Sequence, residues 1–238
     1  LPIIGQIMEP GRAFHPATTS VTVQAIYDTE SVALLVRWHD IRVDNTGQAG
    51  LTLPVPPEEE ALPKPTAAPA GATGADPFDP FADPGAAAVE APPSEFNDAV
   101  AIQIPSQAQS GARKPYFLFG DPQNAVDLWF FDLSRTEPLQ FTGRGSADIA
   151  ANDTGDLTGV ASYDQGEWSV IFRRPLRASS GAPFSQGQFM PMAFSVWDGF
   201  SRERGNRRGL TAWYSIYVEP QDVPSAVGPM VRTALLIL

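Results

Sequence analysis

Few side chains in this sequence are suited to chemistry. The 238 residues contain two histidines, His15 and His39, four methionines and no cysteine. Thiolate zinc, iron–sulfur clusters and haem attached through CxxCH are therefore excluded. His39 sits in Trp38-His39-Asp40, where the acid could orient the ring, but no HxH or HExxH spacing accompanies it. It reads as a structural histidine, and no metal site is assigned. A Ser/His/Asp triad has no GxSxG elbow to support it. GRGSADI (143–149) has glycines but neither a P-loop lysine nor a following helix, so nothing cradles phosphate. Met190 and Met192 flank Pro191 and, two apart, would share one face of a strand. Four arginines, Arg202, Arg204, Arg207 and Arg208, crowd the stretch between Trp197 and Trp213. The neighbouring acids Asp198 and Glu203 read as loop ion-pair partners and not as an acid–base couple. No catalytic residue emerges, and the chain is expected not to be an enzyme.

The elements that must position these groups are strands. TSVTVQAIYDTESVALLVRWHD (19–40) alternates apolar and polar residues on both sides of DTE, which makes a hairpin. VASYDQGEWSVIFRRPL (160–176) repeats the pattern around DQGE. FNDAVAIQIP (96–105), KPYFLFGD (114–121), NAVDLWFFDL (124–133), FMPMAFSVWDG (189–199) and LTAWYSIYVEP (210–220) read as further strands, and 143–159 as loop. About nine strands without a long helical period point to an all-β chain. The expected form is an antiparallel β-sandwich of two packed sheets, immunoglobulin-like in outline. The five tryptophans each fall in or beside a strand. They suit a sandwich core and would equally suit the walls of a flat cofactor.

Residues 51–95 break the pattern. They hold eleven prolines, and eight carboxylates against one lysine, with no period of 2 or 3.6. They read as a disordered Pro/Ala-rich acidic insertion between 1–50 and 96–220, the two parts of the sandwich. Most of the formal charge of −11 lies there, so no basic face exists for nucleic acid. VPSAVGPMVRTALLIL ends the chain on an apolar run shorter than the ~20 residues that span a bilayer. Residues 221–238 are read as the start of a membrane anchor or membrane contact. A cysteine-free chain suits an oxidising compartment.

Taken in order, VTVQAIYDTESVALLVRWHD, FNDAVAIQIP, KPYFLFGDPQNAVDLWFF, ASYDQGEWSVIFRRPL and MAFSVWDGFSRERGNRRGLTAWYSI resemble the ethylbenzene dehydrogenase γ-subunit family. The resemblance covers the chain apart from 51–95 and the tail. It implies a periplasmic β-sandwich holding haem b between its sheets and exchanging electrons with partner subunits of a membrane redox complex, respiratory or photosynthetic, cytochrome-bearing subunits among them. In that family a methionine and a lysine hold the iron. The matching positions here are Phe119 and Arg208, and neither can ligate. A phenyl ring has no lone pair to offer, and guanidinium stays protonated. The expectation is a haem-free accessory or scaffolding subunit outside the cytoplasm, with Phe119 filling vacated volume. The arginine loop would then face a partner's carboxylates or haem propionates. Two alternatives stay open: haem b held through Met190, Met192, His15 or His39, and a secreted module that binds a small apolar ligand.

Overall fold

Leu34, Val36 and Trp38 on one strand, and Trp168, Val170 and Phe172 on another, are buried while their neighbours are not. That alternation is the half-buried strand signature, and it builds the smaller of two sheets. The computed structural model describes residues 1–57, 94–108, 114–152 and 154–220. Among them are twelve strands: β1 (Ile4–Gly5), β2 (Thr22–Tyr27), β3 (Ser31–His39), β4 (Ala99–Pro105), β5 (Val126–Asp132), β6 (Leu139–Gly143), β7 (Ile149–Ala151), β8 (Thr158–Asp164), β9 (Glu167–Pro175), β10 (Phe189–Trp197), β11 (Gly209–Leu210) and β12 (Tyr214–Tyr217). The four-stranded sheet runs β2-β3-β9-β8. The eight-stranded sheet runs β1-β11-β10-β4-β5-β6-β7, with β12 also on β10. All strand pairs are antiparallel. The expected all-β fold of two antiparallel sheets is what the chain adopts.

Both expected hairpins form. In the second, Gln165 and Gly166 take φ 47° and 83°, the pair of positive values that matches a two-residue turn to strand twist. The main core lies between the sheets. Val100, Ile102 and Ile104 of β4, Trp129 and Phe131 of β5, and Met192, Phe194 and Val196 of β10 meet the inner faces of β3 and β9. Each such side chain contributes about 1.5–3 kcal/mol when buried. One charged pair joins the sheets inside that core. Arg174 Nη1 of β9 donates to Asp127 Oδ2 of β5 at 3.0 Å, with both side chains essentially inaccessible. Arg174 also donates to the Ser180 and Ala182 carbonyls, and Trp129 Nε1 and Gln140 donate to Asp127. Of this group, Arg174 Nε alone is left buried without a hydrogen-bond partner among the described residues, and the other bonds are what make a buried ion pair tolerable.

A second, smaller core lies on the other face of the large sheet. Ala99 and Ala101 of β4, Val126, Leu128 and Phe130 of β5, and Trp197 of β10 form its floor, and Leu51 and Phe119 cover them.

Three readings need correction. KPYFLFGD (114–121) is not a strand. Phe119 and Gly120 adopt φ 64° and 82°, which turns the chain back on itself in a region where no strand can continue. Residues 143–159, read as loop, contain β7 and the start of β8, and the count is twelve strands where about nine were expected. The segment after residue 50 also stays on the fold for a few residues, with Leu51 and Val55 buried. Residues 58–93 and 221–238, where most of the insertion and the tail were placed, lie outside the described residues.

Candidate functional site

Phe119 and Arg208, eighty-nine positions apart in sequence, touch. The Arg208 guanidinium carbon lies 3.9 Å from the centre of the Phe119 ring, and both residues are fully buried. Their surroundings explain how each gets there.

Phe119 is carried by a tight turn. The Gly120 amide donates to the Tyr116 carbonyl at 2.8 Å, and the Gly145 amide to the Phe119 carbonyl at 3.0 Å. The turn lies close on β6 because residue 143 is glycine, where a Cβ would stand 2.6 Å from the Phe119 carbonyl oxygen. Positive φ at a phenylalanine is costly, and burial of the ring in the second core offsets it.

Arg208 comes from the loop before β11. Its Nε donates to Ser195 Oγ at 3.1 Å, and Nη1 donates to the Gly205 carbonyl and Asn206 Oδ1, both at 3.3 Å. Nη2 makes a long contact, 3.5 Å, with the Phe117 carbonyl. The Trp197 ring stands 5.7 Å away. No carboxylate among these partners balances the charge. Burial alone pushes the group down, to about 9. The cation is held by neutral acceptors and an aromatic face, which suits guanidinium because it is weakly hydrated and stacks.

The other arginines do not form one exposed basic patch. Arg204 is buried, with Nε donating to the Pro54 carbonyl at 3.0 Å and its guanidinium 4.3 Å from the Phe96 ring centre. Arg207 is half-buried and acts electrostatically on Glu203. Arg202 reaches solvent and pairs with Glu95 at 3.2 Å. The expected partner-facing loop of four arginines is therefore corrected for Arg204 and Arg208, which are spent inside the fold.

The candidate replacement ligands are dispersed. Met190 and Met192 point into the core between the sheets. Ser195 and Trp197, of opposite parity on the same strand, face Arg208 and Phe119. The two methionines thus lie across β10 from that pair. His39 is exposed at the end of β3, opposite Glu167 and beside Gly166. His15 alone is close: it lines an apolar cleft of about 870 Å³ with Ile3, Ile4, Ile7, Phe14, Phe117, Leu210 and Trp213. Ile4, Ile7 and Phe14 are each more than half exposed there.

Positions 119 and 208 offer no iron ligand, and their direct contact leaves no gap for a porphyrin between them. In the sequence, Phe119 and Arg208 were linked through the family resemblance alone, which implied a pocket between the sheets. The structure puts them on the outer face of the large sheet. Sequence reasoning missed Ser195, Asn206 and Phe117, whose only signal was the shared parity of Ser195 with Trp197.

No family model matches the chain. A protein of Haloferax mediterranei with the provisional name respiratory nitrate reductase heme subunit is 30% identical over 125 residues, 51% of this chain and 44% of that protein. The chain thus spans less than half the length of that relative. Among solved structures, a carbohydrate-binding module of family 9 from Caldicellulosiruptor kristjanssonii, in complex with glucose, covers 89% of this chain and 83% of its own, at 10% identity and a TM-score of 0.43. That likeness is too distant to carry an argument about function. What the comparisons leave standing is a similarity, over half the chain, to a protein named as a haem subunit.

Proposed function

We propose that this chain is a non-catalytic accessory subunit of an extracytoplasmic, membrane-associated electron-transfer complex, respiratory or photosynthetic, built on a haem-carrier scaffold whose iron position has been filled by protein. One observation carries the reading. The two side chains at the positions where the resembling family holds its metal are packed against each other, at 3.9 Å and without exposure. The similarity to a protein named as a respiratory nitrate reductase heme subunit supports the setting. Its partners would be the other subunits of such a complex, cytochrome-bearing ones included. The exposed apolar rim at Ile4, Ile7 and Phe14 suits a protein neighbour, since contiguous exposed apolar surface is a common mark of contact sites. No helix among the described residues is long and apolar enough to cross a membrane, so membrane contact through residues 221–238 belongs to the proposal.

The test is purification of the tagged chain from detergent-solubilised membranes of its source. Redox subunits should co-purify in fixed ratio. Recovery of the chain alone from the soluble fraction would overturn the reading.

A second reading, haem b bound off the family position, is favoured by one observation: His15 lines the apolar cleft. It predicts a Soret band that disappears in His15→Ala.

A further inference from the structure

At one end of the sandwich, three aspartates come together from parts of the chain far apart in sequence, and a fourth, Asp40, acts on them electrostatically. Carboxylate oxygens of Asp44, Asp98 and Asp198 all lie within 4.8 Å of one another, and the three residues are 3%, 0% and 8% exposed. Asp98 immediately precedes β4 and Asp198 immediately follows β10. The register Trp197↔Ala99 sets them side by side. Like charges opposite each other on neighbouring strands repel, and here they do so out of contact with bulk water.

Asp40 adds the independent sign. It is 5% exposed. One of its oxygens accepts from the Arg42 amide at 3.2 Å, while Oδ2 is buried with no hydrogen-bond partner among the described residues. Its charge is felt by Asp98, and it in turn feels Asp44 and Asp198. Buried polar atoms are normally satisfied, so an orphaned carboxylate oxygen that feels the charge of neighbouring carboxylates points to a missing positive partner.

We propose that Asp40, Asp44, Asp98 and Asp198 form a binding site for a hard divalent cation, calcium by its chemistry. The donors on offer are carboxylate oxygens from separate elements without symmetrical spacing, which matches the flexible oxygen coordination of calcium better than the strict octahedron of magnesium. The carboxylates are held in place beforehand. Asp98 Oδ2 accepts from the Asp44 amide at 2.8 Å and from Trp168 Nε1 at 3.1 Å, and its Oδ1 accepts from the Gly199 amide at 2.9 Å. Asp198 Oδ1 accepts from the Ser201 amide at 2.7 Å. Each carboxylate has about four lone-pair positions, so these bonds fix direction and still leave room for a metal.

The other charges facing the group are few. Arg42 Nε bonds both oxygens of Asp44, at 2.9 and 3.1 Å, while its guanidinium stacks on Phe200 at 4.6 Å. His39 acts on Asp40 from the strand end. Glu203 lies behind Asp198 and accepts its amide at 3.0 Å. Among the described residues, one guanidinium thus stands against four aspartates, an excess that one dication would largely cancel. The bound ion would tie the loop after β3 of the small sheet to the ends of β4 and β10 of the large one.

The test uses the full chain and terbium, a luminescent stand-in for calcium. Trp168 is one hydrogen bond from Asp98, so a bound terbium ion should emit on indole excitation, saturate at one equivalent and be displaced by calcium. Asp40→Asn, which keeps the shape of the side chain, should weaken binding about tenfold or more, and Asp98→Asn should abolish the emission. Arg42→Gln should tighten binding, because a competing cation is removed. Calcium at a hundredfold excess over its Kd should raise the unfolding midpoint by about 5–10 °C over EDTA. Absence of saturable emission from the unaltered chain would overturn the proposal. So would binding unchanged in Asp40→Asn, or a midpoint indifferent to calcium; if Asp98→Asn fails to fold, Asp40→Asn decides.

Discussion

A double-mutant cycle between positions 119 and 208 turns the contact between the two buried side chains into a number. The substitutions are Phe119→Leu and Arg208→Met, singly and together. Arg208→Met removes a charge that has no carboxylate partner and keeps a long flexible side chain in the same volume. Of the four acceptors it abandons, the Gly205 carbonyl keeps Trp197 Nε1 at 3.0 Å and the Phe117 carbonyl keeps Gln103 Nε2 at 3.3 Å. Asn206 is partly exposed. Only Ser195 Oγ is left in a fully buried place, at a cost of about 1–3 kcal/mol, against which stands the relief of burying a guanidinium. The single change should therefore shift stability by no more than about 2 kcal/mol. Phe119→Leu loses ring volume and the aromatic face, for about 1–3 kcal/mol. The informative quantity is the coupling. A desolvated guanidinium on an aromatic face is worth about 2 kcal/mol, so the double variant should be less destabilised than the sum of the singles by about 1–2 kcal/mol. Urea unfolding with unchanged m values would measure it. A coupling below about 0.5 kcal/mol would refute the stack and, with it, the claim that these side chains occupy each other's space.

Four other outcomes follow from the same contacts. Replacing both positions with the family's residues, Phe119→Met with Arg208→Lys, should let the chain take up haem b, seen as a new Soret band, while either substitution alone should not. Asp127→Ala should cost about 3–5 kcal/mol in chemical denaturation, because it strands the buried Arg174 cation. Gly181→Ala should also destabilise, since its φ is 75° and a Cβ there would meet Asp127 Oδ2 at 2.4 Å. Stability in EDTA should fall as pH rises from about 5 to about 8. Burial raises Asp40 to about 6, Asp98 to about 7 and Glu203 to about 8, whereas the unfolded groups ionise near 4. Their contribution is thus complete below about pH 4 and lost as pH climbs through the folded values. The acids shifted downward, Asp28, Asp121 and Asp156, act below about pH 4 and do not offset this. Calcium should remove most of the decline, read by thermal unfolding at each pH.

What could be seen in the sequence depended on whether the signal was local. The hairpins of β2–β3 and β8–β9 carry their alternation and turn residues within one stretch of chain, and they formed as expected. PYFLFG looked like a strand because its residues are apolar, but the folded chain needs a reversal there, and Phe119 accepts a positive φ to cap the second core. Arg208 looked like surface because it stands in a run of charge. The fold encloses it, with Ser195, Gly205 and Phe119 as partners brought in from three places. The aspartate group was invisible for the same reason. Asp40 and Asp44 share a loop, but Asp98 and Asp198 join them only through the pairing of β4 with β10. The placement of Met190 and Met192 away from Arg208 follows from strand parity, which was legible, whereas which face of the large sheet carries Arg208 and Phe119 was not.

The most direct measurement is haem content of the native protein, by pyridine haemochrome assay on the isolated chain. None should be bound to this chain, and any haem in the starting preparation should part from it on isolation. One haem per chain, retained on isolation, would contradict that expectation, whether or not His15→Ala removes it.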